Sequence, residues 1–442
     1  MRCVSRKSIT VYPATPTPEE KSILFLSAVD HTVRPRHIPI VLFFAALENG
    51  EEVLPLQVLQ DSMSKLLAEF YPLAGRLRRK QNGNLELLCN GEGAELVEAV
   101  IEGQLSDFGY FQPNKLYTDL LDPLTSQMTM GKSVLDFPVF YAQVSRFSCG
   151  GAALVVSIIH TVTDGLSVNQ VVTSWSELAR GVSLSNPPFH DRTLLQSKVS
   201  ADPHFQPTSL RVVPSVTDIL PQQMQTLGPA EKMFTFSPAQ LKKVKAKASS
   251  DGERGVFSTF ESINAHIWRC ITKARCLDAH SKTKFLTTLD ARKRLKPNLP
   301  DGYFGNAICF VSASATVSEM TSNPLSFAAS RIQETITGFT GEYMQSVIAW
   351  AEQQKSPMVM NVNAEDSAGH DISVASWVRL SFHVADFGSG KPLIVSPGNN
   401  PYDGSIIMLP SHKGEGYMNI FIALSPASME RLEHDPEFLL EI

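Results

Sequence analysis

An apolar run that ends at a histidine constrains the fold of this chain more than any other feature. Residues 152–159 are mostly β-branched or small and apolar, and His160 follows them, four residues before Asp164. Such a run predicts a buried strand that delivers His160 to the interior end of a loop. An imidazole held there can act as a general base, because its ordinary pKa lies close to neutral pH. The alternative is a core histidine whose polar atoms are satisfied by a backbone carbonyl.

Apolar periodicity predicts interspersed helices and strands, which indicate an α/β or mixed α+β fold. The run 152–160 is predicted to pair with 139–148 in a hairpin, because the glycines between them favour the positive φ angles of such a turn. Helices are predicted at 56–70, 166–180, 238–248 and 259–274, and further strands at 40–47, 285–289, 308–315, 377–382, 405–409 and 417–423.

The length of the chain predicts two domains, because 442 residues exceed what one hydrophobic core usually supports. Residues 185–229 contain seven prolines and show no sustained hydrophobic period. This composition predicts a crossover segment between an N-terminal domain, residues 1–184, and a C-terminal domain, residues 230–442.

Charge and composition argue against several kinds of partner. The formal net charge is −5, which gives no basic face for nucleic acid or anionic lipid. No apolar stretch reaches the roughly 18 residues of a membrane helix. The N-terminus lacks the apolar core of a secretory signal, so we expect a cytosolic protein that binds small molecules. The six cysteines form no Cys-x-x-Cys pair, so we expect no metal site.

Two motifs resemble the signatures of a known family. The segment HTVTDG at 160–165 and the segment DFGSG at 386–390 resemble the His-x-x-x-Asp-Gly and Asp-Phe-Gly-Trp-Gly motifs of the plant BAHD acyl-CoA-dependent acyltransferases. The resemblance implies a monomer of two domains similar to chloramphenicol acetyltransferase, with a solvent channel between them and His160 midway along it. Further matches are FYPLAGRL at 70–77, STFE at 258–261, HIWR at 266–269, GYFGN at 302–306 and SWVRL at 376–380.

The resemblance also implies roles for individual residues in acyl transfer from a thioester to an alcohol or amine. His160 would be the general base, without a covalent acyl-enzyme. Asp164 would support the fold through an arginine, with Arg292 at the matching position. Trp377 would donate to the oxyanion through its indole N–H. Asp386 would hold the second motif as a structural turn through an arginine pair.

Acyl-CoA is expected as a co-substrate, with no permanently bound cofactor. Ser258 and Thr259 lie where members of the resembled family contact CoA, and Lys247 and Arg292 are candidate partners for its phosphates. The alternative is that these charged side chains belong to a solvated helix face and do not bind CoA.

Two positions depart from the family pattern. Ala375 stands where related hydroxycinnamoyltransferases have a threonine hydroxyl that serves the oxyanion. Ser389 stands where the pattern has tryptophan, which removes a large packed group. These departures motivate the alternative of a non-catalytic relative that binds CoA esters. A condensation-type domain is a third possibility, although Ile159 stands where its signature has a second histidine.

The acceptor is expected to be a neutral alcohol or an amine. Family members that take shikimate or quinate hold its carboxylate with an arginine, and this chain has none between Arg331 and Arg379. Glu365 and Asp366 could meet a cationic amine, or could form a solvated loop. The best expectation for the donor is a hydroxycinnamoyl or another aromatic acyl group, and ester and amide products both stay open.

Overall fold

The structure, a computed structural model, describes residues 1–81, 83–108, 133–202, 204–212, 229–250, 256–354, 358–360, 370–398, 400 and 402–440. The described chain forms two six-stranded sheets with helices packed on them, which is the mixed α/β architecture that the sequence predicts. None of the described helices combines the length and the apolar character that crossing a membrane requires. The helices are α1 (Leu56–Glu69), α2 (Gly165–Ala179), α3 (Pro238–Ala248), α4 (Thr259–Ala274), α5 (Val317–Ser322), α6 (Leu325–Thr337), α7 (Gly341–Glu352) and α8 (Pro426–Glu433).

The strands alternate with these helices along the chain, and two small sheets, β2-β5-β4 and β9-β13, lie beside the large ones. The strands are β1 (Arg2–Val11), β2 (Ile23–Leu24), β3 (His37–Phe44), β4 (Arg76–Arg79), β5 (Leu85–Leu88), β6 (Ala94–Glu102), β7 (Phe140–Phe147), β8 (Ala152–Ile159), β9 (Leu210–Val212), β10 (Ala230–Phe236), β11 (Lys282–Asp290), β12 (Ile308–Thr316), β13 (Met358–Met360), β14 (Ile372–Ser376), β15 (Ile394–Pro397), β16 (Ser405–Pro410) and β17 (Met418–Leu424).

The first sheet has the order β1-β6-β7-β8-β3-β15. Its strand β8 is buried along its whole length, because residues on one face pack with α1 and α2 and residues on the other face pack against Phe43 and Phe108. The predicted hairpin of β7 and β8 is confirmed, with Gly150 at φ +80° in the turn. Burial on both faces explains why the sequence of β8 is continuously apolar.

The second sheet has the order β10-β17-β16-β14-β11-β12, and α3, α4, α6 and α8 share its core. Strand β15 belongs to the first sheet, although its residues lie in the predicted C-terminal domain. It also contacts β16 of the second sheet, so the two sheets meet along β15. The division at 185–229 stays a prediction.

The predicted strand at 377–382 is wrong. Strand β14 covers Ile372–Ser376, where it pairs in parallel with β11 and β16. The last hydrogen bond of the strand ladder is the one that the Trp377 N–H donates to the Met408 carbonyl over 2.8 Å. The Leu380 N–H then donates to the Trp377 carbonyl, which closes a turn. The apolar residues that suggested a strand lie instead in a loop, from which they pack into the core.

The segment 386–390 forms a tight turn whose polar core is local. The carboxylate of Asp386 accepts hydrogen bonds from the N–H groups of Gly388 (2.8 Å) and Gly390 (3.0 Å), two glycines with positive φ. Within the described residues Asp386 forms no ion pair with an arginine, so the expected arginine partner stays a prediction. Backbone donors perform the same structural task.

This turn is fixed to the first sheet by its two middle side chains. The Phe387 ring lies edge-on to Trp175 of α2, with centroids 5.3 Å apart. The hydroxyl of Ser389 accepts a hydrogen bond of 2.9 Å from the N–H of Leu54, just before α1. Ser389 is buried. Where the family pattern has a packed tryptophan, this chain therefore has a small side chain that makes one specific hydrogen bond.

We expect Ser389→Ala to lower the free energy of unfolding by about 1–3 kcal/mol, because the buried Leu54 N–H would lose the one acceptor it has among the described residues. Urea denaturation followed by tryptophan fluorescence measures this change. The matched control Ser322→Ala removes an exposed hydroxyl on α5 and should change stability by less than about 0.5 kcal/mol. Equal stability of Ser389→Ala and the wild type would contradict the anchoring role.

Candidate active site

The main chain of His160 extends the pairing of β8 with β3 by one residue. Its N–H donates to the carbonyl of Arg36 over 2.8 Å. The imidazole Nδ1 lies 2.9 Å from the carbonyl oxygen of Thr163. A carbonyl oxygen can only accept, so Nδ1 carries the proton of the neutral ring and Nε2 is left as the base. The side chain is partly exposed, which leaves Nε2 open to a reactant.

The surroundings of His160 keep the ring neutral. Burial and the positive charge of Arg36 lower the pKa of His160 below its ordinary value. The charge of Asp164 and the hydrogen bond to Thr163 oppose this shift without reversing it. A neutral imidazole can accept a proton, so the site favours the form that general-base chemistry needs.

Asp164 turns away from the imidazole and forms a buried ion pair with Arg292. The two guanidinium bonds measure 2.8 Å and 3.0 Å, one to each carboxylate oxygen. The same oxygens accept from the N–H groups of Ser167 (3.0 Å) and Ala307 (2.9 Å). Although burial raises it, the pKa of Asp164 is lowered by Arg292 and by these backbone bonds. The carboxylate is therefore saturated by partners other than His160.

The structure places Arg292 in this pair and not in a phosphate site. Its side chain is only 11% exposed. Its guanidinium also donates to the carboxylate of Asp290 (2.9 Å), the hydroxyl of Ser167 (3.1 Å) and the carbonyl of Gly305 (3.0 Å). The expectation that Arg292 contacts CoA is therefore corrected, because its donors are occupied by protein acceptors.

A second buried ion pair, which sequence reasoning missed, holds the other side of the His160 loop. Arg192 and Asp30 lie 3.1 Å apart with fully buried side chains. The amide of Asn306 donates to Asp30 (3.0 Å) and to the carbonyl of His160 (2.8 Å). Arg192 donates to the carbonyl of Val162 over 2.7 Å. The main-chain carbonyls of His160 and Val162 are thus bound by residues from distant parts of the chain.

Sequence signals for this second pair are weak. Asn306 lies in the GYFGN segment that carried part of the resemblance, but Asp30 and Arg192 lie outside the two signature motifs, and no spacing links them to each other. Arg192 also lies in the predicted crossover segment 185–229. That segment is consequently part of the support of the candidate site.

Trp377 lies where the two sheets meet. Trp377 and Val395 of β15 both pack against a small apolar cluster that includes Leu409 of β16, and the Trp377 ring centroid is 5.8 Å from that of Phe382. The indole is partly exposed, and its N–H makes no hydrogen bond to any described residue. It is therefore a free donor, as an oxyanion contact requires. Ala375, on β14, offers no hydroxyl beside it.

The loop that carries Trp377 rests on the first turn of α2, directly after the His160 segment. The amide of Asn169 donates to the hydroxyl of Ser381 over 3.2 Å. A Cβ at Gly165 would lie 3.2 Å from the Leu380 side chain, so the glycine permits the close approach. Helix α2 therefore contacts the Trp377 loop and directly follows the His160 segment, so it connects the two predicted catalytic segments.

Ser258 and Thr259 begin helix α4. The Ser258 hydroxyl accepts from the N–H of Glu261 (3.2 Å), and the Glu261 carboxylate accepts from the N–H of Ser258 (2.6 Å). This capping box satisfies two of the donors at the helix N-terminus. The remaining N–H groups and the helix dipole favour an anion at this end.

Lys247 lies near the end of α3, close to the start of α4. The Phe257 N–H lies 3.5 Å from the Ser249 hydroxyl, so the end of α3 adjoins Ser258. The Lys247 ammonium is 3.3 Å from Glu437, and its side chain is 51% exposed. Glu437 is largely buried and also pairs with Arg269 and Lys273, so the exposed Lys247 can leave it for a phosphate. The structure thus brings the CoA candidates Lys247, Ser258 and Thr259 into one region.

Comparison with known proteins relates nearly the whole chain to one family. The model of the Transferase family matches residues 2–439. The shikimate O-hydroxycinnamoyltransferase of Nicotiana tabacum is 33% identical over 98% of this chain and 99% of its own length. The hydroxycinnamoyl-CoA:5-hydroxyanthranilate N-hydroxycinnamoyltransferase of Avena sativa is 33% identical over 98% of each.

Solved structures share the fold. Vinorine synthase matches with a TM-score of 0.73 and 22% identity over 99% of this chain and 98% of its own. The F. sporotrichioides TRI101 protein, crystallised with coenzyme A and T-2, matches with a TM-score of 0.74 and 20% identity over 95% and 98%. These likenesses confirm the predicted fold class.

We expect Asp164→Ala to lower the free energy of unfolding by about 3–5 kcal/mol, because Arg292 would stay buried without its main carboxylate. Chemical denaturation measures this loss. The control Asp290→Ala removes the more exposed partner of Arg292 and should cost less than about 1 kcal/mol. Unchanged stability with a large loss of kcat would instead assign Asp164 to the base.

We expect the acidic limb of the pH profile of kcat/KM to have its midpoint below 6.5, the ordinary pKa of histidine. The base works only when neutral, and a lowered pKa keeps it neutral at more acidic pH. Initial rates with an alcohol acceptor, which does not titrate in this range, measure the limb directly. A midpoint above 6.5 would contradict the influence of burial and of Arg36 on His160.

Proposed function

We propose a mechanism for this chain from the premise that it belongs to the Transferase family, the plant BAHD acyltransferases. It is an enzyme that transfers an acyl group from acyl-CoA to the hydroxyl or amine of an acceptor. The observation that carries the mechanism is the bond of 2.9 Å between His160 Nδ1 and the Thr163 carbonyl. It leaves Nε2 as the one basic nitrogen of the ring.

His160 serves as base and then as acid in the proposed reaction. Nε2 removes the proton from the acceptor hydroxyl or amine as this group attacks the thioester carbonyl. The tetrahedral intermediate then collapses, its carbon–sulfur bond breaks, and Nε2–H returns the proton to the departing CoA thiolate. No acyl-enzyme forms, because the acceptor itself is the nucleophile.

Trp377 is the proposed donor to the oxyanion of the intermediate. Its indole N–H makes no hydrogen bond to a described residue, and it lies on the loop that rests on α2. Preorganised donors of this kind contribute about 10²- to 10³-fold each. Since Ala375 lacks a hydroxyl, Trp377 carries this task without the threonine that related enzymes use.

Acyl-CoA is a co-substrate that enters and leaves, and we propose that its phosphates meet the region of Lys247, Ser258 and Thr259. An N-terminal helix end and a cation that is only weakly paired suit a phosphate. We further propose that this chain has no resident cofactor or metal, acts as a monomer in the cytosol, and has its two domains on either side of a channel. Within the described residues no cluster of possible metal ligands occurs.

A hydroxycinnamoyl group is the proposed donor moiety, because the two relatives named above are hydroxycinnamoyltransferases. One of them is named for transfer to oxygen and the other for transfer to nitrogen, so an alcohol and an amine are both candidate acceptors. The sequence favours a neutral or amine acceptor. Glu365 and Asp366, the predicted partners of a cationic amine, lie outside the described residues.

We expect His160→Ala to lower kcat by about 10²- to 10⁴-fold without a matching loss of stability, because general-base assistance is removed. Thiol release from hydroxycinnamoyl-, benzoyl-, acetyl- and malonyl-CoA with pooled alcohols and amines, followed by mass detection of products, measures the effect. The control His434→Ala changes an exposed histidine directly after α8 and should retain full activity. Undiminished turnover by His160→Ala would overturn the mechanism.

If the folded wild type releases no thiol with any donor and acceptor of the panel but still binds CoA, the result would favour a non-catalytic relative. Competition by free CoA for binding separates this protein from a condensation-type domain, which takes its thioester from a carrier protein.

A further inference from the structure

Two arginines and a tyrosine form a cluster that the mechanism does not use. The guanidinium carbon of Arg36 lies 4.8 Å from the ring centroid of Tyr402, and that of Arg34 lies 5.7 Å away. All three side chains are partly buried. Among the residues that the structure describes, no carboxylate forms an ion pair with either arginine. The other partly buried arginines near His160, by contrast, have acidic partners, as Arg292 does.

The cluster carries uncompensated positive charge. Burial and the charges of Arg36 and Arg211 lower the pKa of Arg34, while Tyr402 opposes this shift. Although burial raises it, the pKa of Tyr402 is lowered by the charges and hydrogen bonds of Arg36 and Arg34. A field that stabilises negative charge on a phenol oxygen also stabilises a bound anion.

The cluster adjoins the catalytic base. The carbonyl of Arg36 accepts the N–H of His160, and the charge of Arg36 acts on the imidazole. An anion bound between Arg34 and Arg36 would therefore lie close enough to the base for its charge to act on the imidazole, as the charge of Arg36 does. The phosphates of CoA are separated from the thioester by the long pantetheine arm, so they fit this position poorly. A carboxylate attached to the acceptor fits it well, since the nucleophile of the acceptor must contact His160.

We propose that Arg34, Arg36 and Tyr402 bind a carboxylate of the acyl acceptor. The inference rests on the proposed acyl transfer at His160 and narrows its substrate class to alcohols or amines that carry an acidic group. It revises the expectation of a neutral acceptor, which considered only the missing arginine between Arg331 and Arg379. Two guanidinium groups supply charge and paired donors, and the tyrosine hydroxyl adds a further donor.

The test compares acceptors that differ only in charge. Anthranilic acid and shikimic acid, each beside its primary amide, are supplied with p-coumaroyl-CoA to the wild type and to Arg34→Met, Arg36→Met and Tyr402→Phe. We expect the wild type to prefer the acid of a pair. Each arginine variant should raise the KM of that acid by about tenfold or more, because a hydrogen-bonded charge pair is lost. The KM of the amide should change less than about twofold.

Two further variants control for indirect effects. Arg36→Lys keeps the charge but loses the planar fork, so it should recover part of the affinity for the acid. Arg331→Met removes an exposed arginine on α6 and should behave as the wild type with both members of a pair. Equal preference for acid and amide in the wild type, or equal losses for both in Arg36→Met, would overturn the proposal. If the arginine variants lose activity with malonyl-CoA as the donor but not with p-coumaroyl-CoA, the assignment of the site to the acceptor would be overturned.

Calorimetric titration of the acids and amides into His160→Ala separates this inference from the proposed function. If the wild type transfers no acyl group but His160→Ala binds the acid and Arg34→Met/His160→Ala does not, the function fails and the anion site stands. If turnover is robust but neither the binding nor the KM of any acid depends on Arg34 or Arg36, the function stands and the anion site fails.

Discussion

The buried ion pair between Asp164 and Arg292 joins the loop after β8 to the segment after β11, and so ties the first sheet to the second. Removing two charges from water is costly, and the cost is offset only when every remaining oxygen and N–H finds a partner. Here Ser167, Ala307 and Gly305 supply those partners. The pair therefore fixes the start of α2 relative to β12 with little freedom. The position of His160, four residues earlier, depends on that fixed point.

The second ion pair, between Asp30 and Arg192, constrains the same loop from the opposite side. Through Asn306 it holds the carbonyl of His160, and through Arg192 it holds the carbonyl of Val162. A catalytic group needs its position fixed to within about 0.5 Å, which packing of one side chain does not provide. The two buried pairs together do provide it, because one holds the carbonyls of His160 and Val162 and the other holds the side chain of Asp164. They also explain why strongly charged residues lie in an otherwise apolar region.

Local patterns allowed the sequence to predict β8, its hairpin with β7, helix α1 and the position of His160, since each depends on periodicity or on a turn within a few residues. The arginine at 292 came from the family resemblance, and the structure pairs it with Asp164. Contacts between distant segments could not be predicted in this way: Asp30 and Arg192 are 162 positions apart by their numbering. The strand predicted at 377–382 failed because apolar residues in a packed loop resemble those of a strand. At Asp386 the sequence did not reveal that the backbone N–H groups of Gly388 and Gly390 bind the carboxylate, because such bonds depend on the conformation of the turn.

The charge distribution around His160 suits a group that must first accept and then return a proton. A carboxylate bonded to the imidazole would stabilise the imidazolium and hold the proton after the first step. In this structure Arg292 occupies that carboxylate, a neutral carbonyl orients Nδ1, and Arg36 disfavours the protonated ring. The imidazolium is consequently a stronger acid than an ordinary one, which suits the return of its proton to the departing thiolate in the proposed reaction. A weaker base is thus the better catalyst for the second half of the reaction.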